Sequence, residues 1–301
     1  MWFKNLKLYR ISQTMDFQET KLQEQLEEFT FRPCGSQETA SMGWSTPLSK
    51  GDMLFHAADG RIWLTLKKQE RILPSAVINA ALAEKVEQIE IETGSPVSKK
   101  AQQDIKQQII QQLLPRAFTK NTFIHGFISV KDKIVVVDSS SDGSAEAFLA
   151  YLRKSIGSLP VVPWSKRNIQ ADITLWLSKD NIPMDVVLLE EAELRSAGDE
   201  GSIVRVKNQD LGSEEIQHHL DAGKMVSKLA IEWAETLTAV LNDDVSIKRL
   251  KFSDVFKEQN EDIPKDQLHA RLDADFALMS GEVVRFAHRL DEIFNLSADN
   301  I

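Results

Sequence analysis

Cysteine is almost absent from this sequence. Cys34 stands alone among 301 residues, so neither a disulfide framework nor a cysteine-built metal cluster is available. Long apolar runs are missing as well. No stretch approaches the roughly 20 residues that a helix needs to cross a bilayer, and no signal-peptide h-region precedes a small-residue cleavage site. The expected setting is a reducing cytoplasm with no membrane partner. The phosphate-loop pattern GxxxxGK[ST] and the GxGxxG fingerprint do not occur, which leaves nucleotide-driven motor work without support. There is no GxSxG elbow, and Cys34 follows Pro33 in a turn with no histidine close in sequence.

Convergent metal ligands are scarce too. The six histidines show no HExxH or other ligand spacing, and the adjacent His218 and His219 point apart on a helix. A metal-dependent nuclease needs carboxylates converging on Mg2+. Asp138 at a strand end and the pair Asp273 and Asp275 are the available members, and the pair reads more simply as a cap on the last helix. The sequence therefore predicts no cofactor, no metal site and no enzyme. Positive charge is also in short supply, with 36 Lys and Arg against 45 Asp and Glu for a net charge of −9. An acidic chain binds nucleic acid only if its cations are segregated onto one surface.

What is present is the composition of a globular α+β protein: 42% hydrophobic and 27% charged residues, with room for more than one subdomain. From the start, Phe3–Ile11 reads as a strand and Phe17–Phe29 as a short helix with Leu22, Leu26 and Phe29 on one side. Met53–Ala58 and Arg61–Lys67 form a hairpin around Asp59-Gly60. Beyond Pro74, Ile78, Leu82, Val86 and Ile89 recur at helical spacing. So do Ile105, Ile109 and Leu113, after a break at Gly94-Ser95-Pro96 and an N-cap at Ser98. Two such helices with narrow apolar stripes predict an αα-hairpin arm about 25 Å long. Leu114-Pro115-Arg116-Ala117-Phe118 ends it. Phe118 is either a core aromatic at the return to the sheet or an exposed anchor for a neighbouring subunit.

Thr122–Ser129 and Lys133–Asp138 return to strand character, Ser144–Ile156 is helical, and Gly157–Pro163 is a rigid linker. Gln170–Ser178 is helical and Val186–Leu189 a strand entering the acidic run Glu190, Glu191 and Glu193, a solvated face on its simplest reading. Three strand-like runs follow: Ile203–Lys207, Lys224–Leu241 and Val245–Phe252, the last two joined by the turn Asn242-Asp243-Asp244. Met225, Leu229, Ile231 and Trp233 share one parity, and Lys224, Val226, Lys228 and Ala230 the other. On the partner run Ile247, Arg249 and Lys251 share a parity opposite to Lys248, Leu250 and Phe252. A hairpin with one apolar face and one cationic face is either an ordinary half-solvated sheet or a surface that tracks phosphates. Seven Lys and Arg in 201–252 face eight Asp and Glu, so the outcome depends on which face each occupies. In the last helix Phe276, Met279, Val283, Phe286, Leu290 and Ile293 recur as a heptad-like stripe. It packs on its own sheet or on a second copy across a two-fold axis.

These stretches also resemble a known family. KNQDLGSEEI, AGKMVSKLA, IKRLKF and NEDIP, with WFKNL, FRPCGSQETASMGW, ILPSAVI, LLPRAF and LRKSIGSLPVVP, are similar in order and spacing to the bacterial recombination-associated RdgC proteins, from Trp2 to Gly281. The resemblance implies a horseshoe subunit that forms a homodimeric ring around double-stranded DNA without sequence preference and restrains the RecA recombinase. It implies a nucleoid-associated protein. The expected parts are an antiparallel-sheet body (1–73 and 119–190), a projecting helical-hairpin arm with the ring-closing tip (74–118), and a C-terminal sheet-plus-helix base (191–301). The hole is then lined by Arg205, Lys207, Gln209, Lys224, Lys228, Lys248, Arg249 and Lys251, with Arg116 near the closing contact. Phe118 serves one dimer contact, and Phe276, Met279, Val283, Phe286 and Leu290 the other. One departure is that Asn208 follows Lys207 where the family commonly has a second lysine, which removes a phosphate contact. Two other readings stay open: a protein-interaction regulator with incidental DNA binding, and a metal-dependent nuclease.

Overall fold

The computed structural model describes residues 2–15, 17–48, 51–178, 181–198, 201–264 and 267–297. Its strands are β1 (Leu6–Ile11), β2 (Ala40–Ser45), β3 (Phe55–Ala58), β4 (Arg61–Arg71), β5 (Thr119–Ser129), β6 (Ile134–Asp138) and β7 (Val161–Pro163). The second half adds β8 (Val186–Arg195), β9 (Ile203–Lys207), β10 (Met225–Trp233), β11 (Leu237–Asn242) and β12 (Ile247–Phe252). All twelve join one sheet in the order β2-β4-β5-β6-β1-β12-β11-β10-β8-β9, with β3 also on β4 and β7 also on β1. Every strand pairing is antiparallel. The α+β expectation holds.

The helices are α1 (Glu19–Glu27), α2 (Ser75–Thr93), α3 (Lys99–Leu113), α4 (Asp142–Ile156), α5 (Gln170–Leu177), α6 (Glu214–Asp221), α7 (Asp254–Glu258) and α8 (Leu268–Phe294). Serine side chains start three of them. Ser98 accepts from Ala101 N, Ser141 from Ser144 N and Ser253 from Phe256 N, each satisfying an N–H with no partner inside the helix.

Period-two alternation decides what covers each face. In the first half of the sheet Ile62, Leu64, Ile128, Val135 and Val137 point to one side, where α1 and α4 bring Leu22, Leu26, Phe148 and Leu152. Trp63, Phe127, Ile134 and Val136 point to the other side. There they meet the last helix, α8, which continues across the second half onto Leu229, Ile231, Trp233, Leu237 and Leu241. Helices α5, α6 and α7 add Ile173, Ile216 and Phe256 to that same core. Among the described residues, no helix contributes to a core on the opposite face of the second half.

Several details depart from the sequence reading. The run read as one strand, Lys224–Leu241, is two strands that turn at Ala234 and Glu235, both with positive φ (49° and 58°). Neither residue is Gly or Asn, so the turn carried no signal. A register irregularity between Val226 and Lys228 moves Val226 onto the core face beside Leu229. A second one, opposite Thr238–Val240, comes with Arg249 at φ 53°. It places Ile247, Leu250 and Phe252 together in the core, so the parities predicted for both strands shift midway. The linker read at Gly157–Pro163 contains β7. The cap read at Asp273 and Asp275 is also corrected: α8 starts earlier, at Leu268 behind Gln267. Asp273 bonds His56 at 2.8 Å, and Asp275 accepts from Asn260 at 3.2 Å.

The heptad stripe of α8 is fully spent inside the chain. Phe276, Met279, Val283, Phe286 and Leu290 are each 0–1% exposed, and Ile293 packs against the same core. Burying such side chains stabilises the fold by about 1.5–3 kcal/mol apiece, and a side chain enclosed by its own subunit has no surface left for another. The five residues expected at a dimer contact are thus enclosed by their own chain.

Candidate nucleic-acid interface

The uncovered face of the second half gathers side chains from five strands. From β9 come Arg205 and Lys207, from β8 Glu191 and Glu193, from β10 Lys228, from β11 Val240 and Asn242, and from β12 Lys248 and Arg249. Asn5, just before β1, and Ser140, before α4, close one end of a cleft of about 390 Å³. Five cations thus share one concavity with two carboxylates. Alternation places Arg205 and Lys207 together on β9 while Val204 and Val206 turn to the core. The irregularity at Arg249 keeps Lys248 in the cleft while Ile247 and Leu250 stay buried.

Glu193 is the hub of this face. The residue is 5% exposed, and its carboxylate accepts from Arg195 (2.6 and 2.9 Å), Arg205 (2.9 Å) and Lys228 (2.9 Å). The Ser227 hydroxyl adds a longer bond at 3.2 Å. Burial alone pushes this carboxyl up, but the hydrogen bonds from Arg205, Lys228 and Arg195 outweigh it and hold the group at about 2. Glu191, two residues earlier on the same face, pairs with Arg249 at 2.6 Å and lies 3.9 Å from Lys207. On a flat sheet β12 and β8 stand about 14 Å apart, so the Arg249–Glu191 bond agrees with an inward-curving face.

The remaining predicted residues fall elsewhere or at the margin. Lys251 is exposed on β12 opposite Thr238. Lys224 donates to the hydroxyls of Ser196 (3.0 Å) and Ser202 (2.7 Å), at the far end of the β8–β9 hairpin. Gln209 donates to Glu215 at 2.9 Å. Arg116 is exposed in the single 3-10 turn Leu114–Arg116 at the foot of the helical hairpin. Phe118 is next to it, 85% exposed, with its carbonyl accepting from Ile72 N at 2.7 Å. It is no core aromatic. Nor is it at the far turn of the hairpin, which is Gly94–Ser98; it marks the junction where β4 ends and β5 begins. Arg195 and Glu193 belong to this face and were missed, because an acidic run looks the same in sequence whether it is solvated or enclosed by cations.

No group of three or more His, Cys, Asp or Glu among the described residues could hold a metal ion. Asp138, a possible nuclease ligand by sequence, accepts from the backbone N–H groups of Lys4 (3.1 Å) and Asn5 (2.8 Å), and burial pushes its carboxyl up. No helix among the described residues is long and apolar enough to cross a membrane.

A family model described as "RdgC: Putative exonuclease, RdgC" matches residues 1–297. The chain belongs to the RdgC family. Members with similar sequences include the recombination-associated protein RdgC of Pseudoalteromonas atlantica, 64% identical over 99% of both chains. That of Aeromonas hydrophila is 47% identical over 95% of both, and that of Shewanella loihica 44% identical over the full length of both.

Proposed function

We propose that this protein takes part in recombination by binding double-stranded DNA without sequence preference on the cationic face of β8–β12, as a homodimeric ring around the duplex that restrains RecA. The observation that carries the reading is the segregation of charge. In a chain of net charge −9, Arg205, Lys207, Lys228, Lys248 and Arg249 share one concave surface that no helix of the described residues covers. Lys and Arg on a sheet face meet phosphates rather than base edges, which gives affinity without sequence readout. Exposed Phe118 suits one ring contact. With the α8 stripe buried, the second contact draws on exposed apolar residues of the other half, such as Met184 and Val187. Threading the duplex slows dissociation and obstructs filament assembly, and a nucleoid location follows from the same activity.

The test is binding to random-sequence duplex as salt is varied. If two subunits together neutralise about eight phosphates, log K against log salt has a slope near −7, and a slope shallower than about −2 contradicts a face of several cations. The family description favours one second reading, an exonuclease. Incubating end-labelled DNA with Mg2+ or Mn2+ separates the two: shortening of the label that scales with protein supports the enzyme.

A further inference from the structure

Two carboxylates stand among the cations of this face, and their surroundings differ. The Glu193 side chain is 6% exposed beneath three cations, where it is part of the architecture. The Glu191 side chain is 31% exposed and sits at the mouth, bonded to an Arg249 that is itself 54% exposed, with the 66% exposed Lys207 at 3.9 Å. A carboxylate offers a guanidinium two oxygens in a plane, the same geometry as the two non-bridging oxygens of a phosphodiester.

We propose that Glu191 is a built-in stand-in for DNA phosphate, which occupies Arg249 and Lys207 in the free protein and yields them when a phosphodiester arrives. The proposal rests on the DNA reading of this face. A cation already half-neutralised by an internal carboxylate condenses less salt-sensitive charge onto an incoming phosphate, so Glu191 lowers both the affinity and the salt dependence of binding. Because the pair is exposed, breaking it costs little: Glu191 moderates binding without preventing it. It also connects β12 to β8, so Arg249 and Lys207 are held ready at the cleft instead of dispersed in solvent. The effect is a grip loose enough for the protein to be moved along or removed from DNA.

The test compares the full-length wild type with Glu191→Gln on a random-sequence duplex oligonucleotide across a salt series. Glu191→Gln binds about two- to fivefold tighter near 0.1 M salt, the equivalent of one exposed ion pair. Its log K against log salt is steeper by about one to two, for one or two cations released to phosphate. Its melting temperature matches that of the wild type, since the side chain is outside the core. Equal or weaker binding by Glu191→Gln, or an unchanged slope, overturns the proposal while leaving the DNA reading standing. A wild type that shows no salt-dependent binding takes down the DNA reading itself and Glu191's role with it.

Discussion

Glu193 ties three cations together, and the cost of protonating it is measurable. Its folded-state value of about 2 lies below the ordinary 4.5, so its contribution is complete above pH 4.5 and is lost as pH falls toward 2. Asp185, hydrogen-bonded by Arg289 and held at about 2 instead of 3.8, adds loss over a similar range. His125 is lowered by burial from 6.5 to about 4. The folded state keeps it neutral, and its share of stability disappears between pH 6.5 and pH 4. Thermal melts from pH 7 to pH 2 therefore fall in two stages. His125→Gln flattens the upper one and Glu193→Gln the lower; a Glu193→Gln profile parallel to the wild type below pH 4.5 contradicts the role given to that carboxylate. Gly43 gives a steric case. A Cβ there would lie 2.3 Å from Phe31 Cα, and backbone cannot retreat as a flexible side chain does. Gly43→Ala costs at least about 2 kcal/mol, to be read from urea unfolding. At this scale the cations were legible, since alternation alone aligned Arg205 with Lys207. The partners of Glu193 were not, because only the fold brings β9 and β10 to either side of β8.

Elements were legible where pattern and turn chemistry agreed. The hairpin at Asp59-Gly60, the αα-hairpin with its Ser98 cap and the stripe of α8 were all open to reading. The turn at Ala234-Glu235 was not, because positive φ there is imposed by the ladders on either side. Nor was the partner of α8: a heptad stripe says that one side of a helix will be buried and is silent about what buries it. Phe118 is the converse, an aromatic at the end of an apolar segment that the fold leaves outside. Phe118→Ser changes stability by no more than about 0.5 kcal/mol, as for a surface site. It weakens self-association, followed by sedimentation across a dilution series. Unaltered association would remove Phe118 from the proposed ring contact.

Taken whole, the molecule is a single sheet whose two halves are covered differently. The first has helices on both faces; the second has α8 and its neighbours on one face and charge on the other. The α+β class followed from the sequence, while the continuity of the sheet did not, since the strand that unites the halves is β1 and its partners lie far away in sequence. Leu6 pairs with Asp138 on β6 and with Ile247 on β12.

That position of β1 has a consequence for synthesis. β1 has one flank matched by β6 and the end of the other, Tyr9–Ile11, matched by β7 soon afterwards, but Leu6 on that second flank waits until β12 is made. Chains halted before β11 are then predicted to protect the first half only on the face covered by α1 and α4, with the face that α8 covers and the whole second half open to protease. Chains that include β12 join the two halves of the sheet through the Leu6–Ile247 pairing, with a slow phase of the kind that long-range pairing imposes.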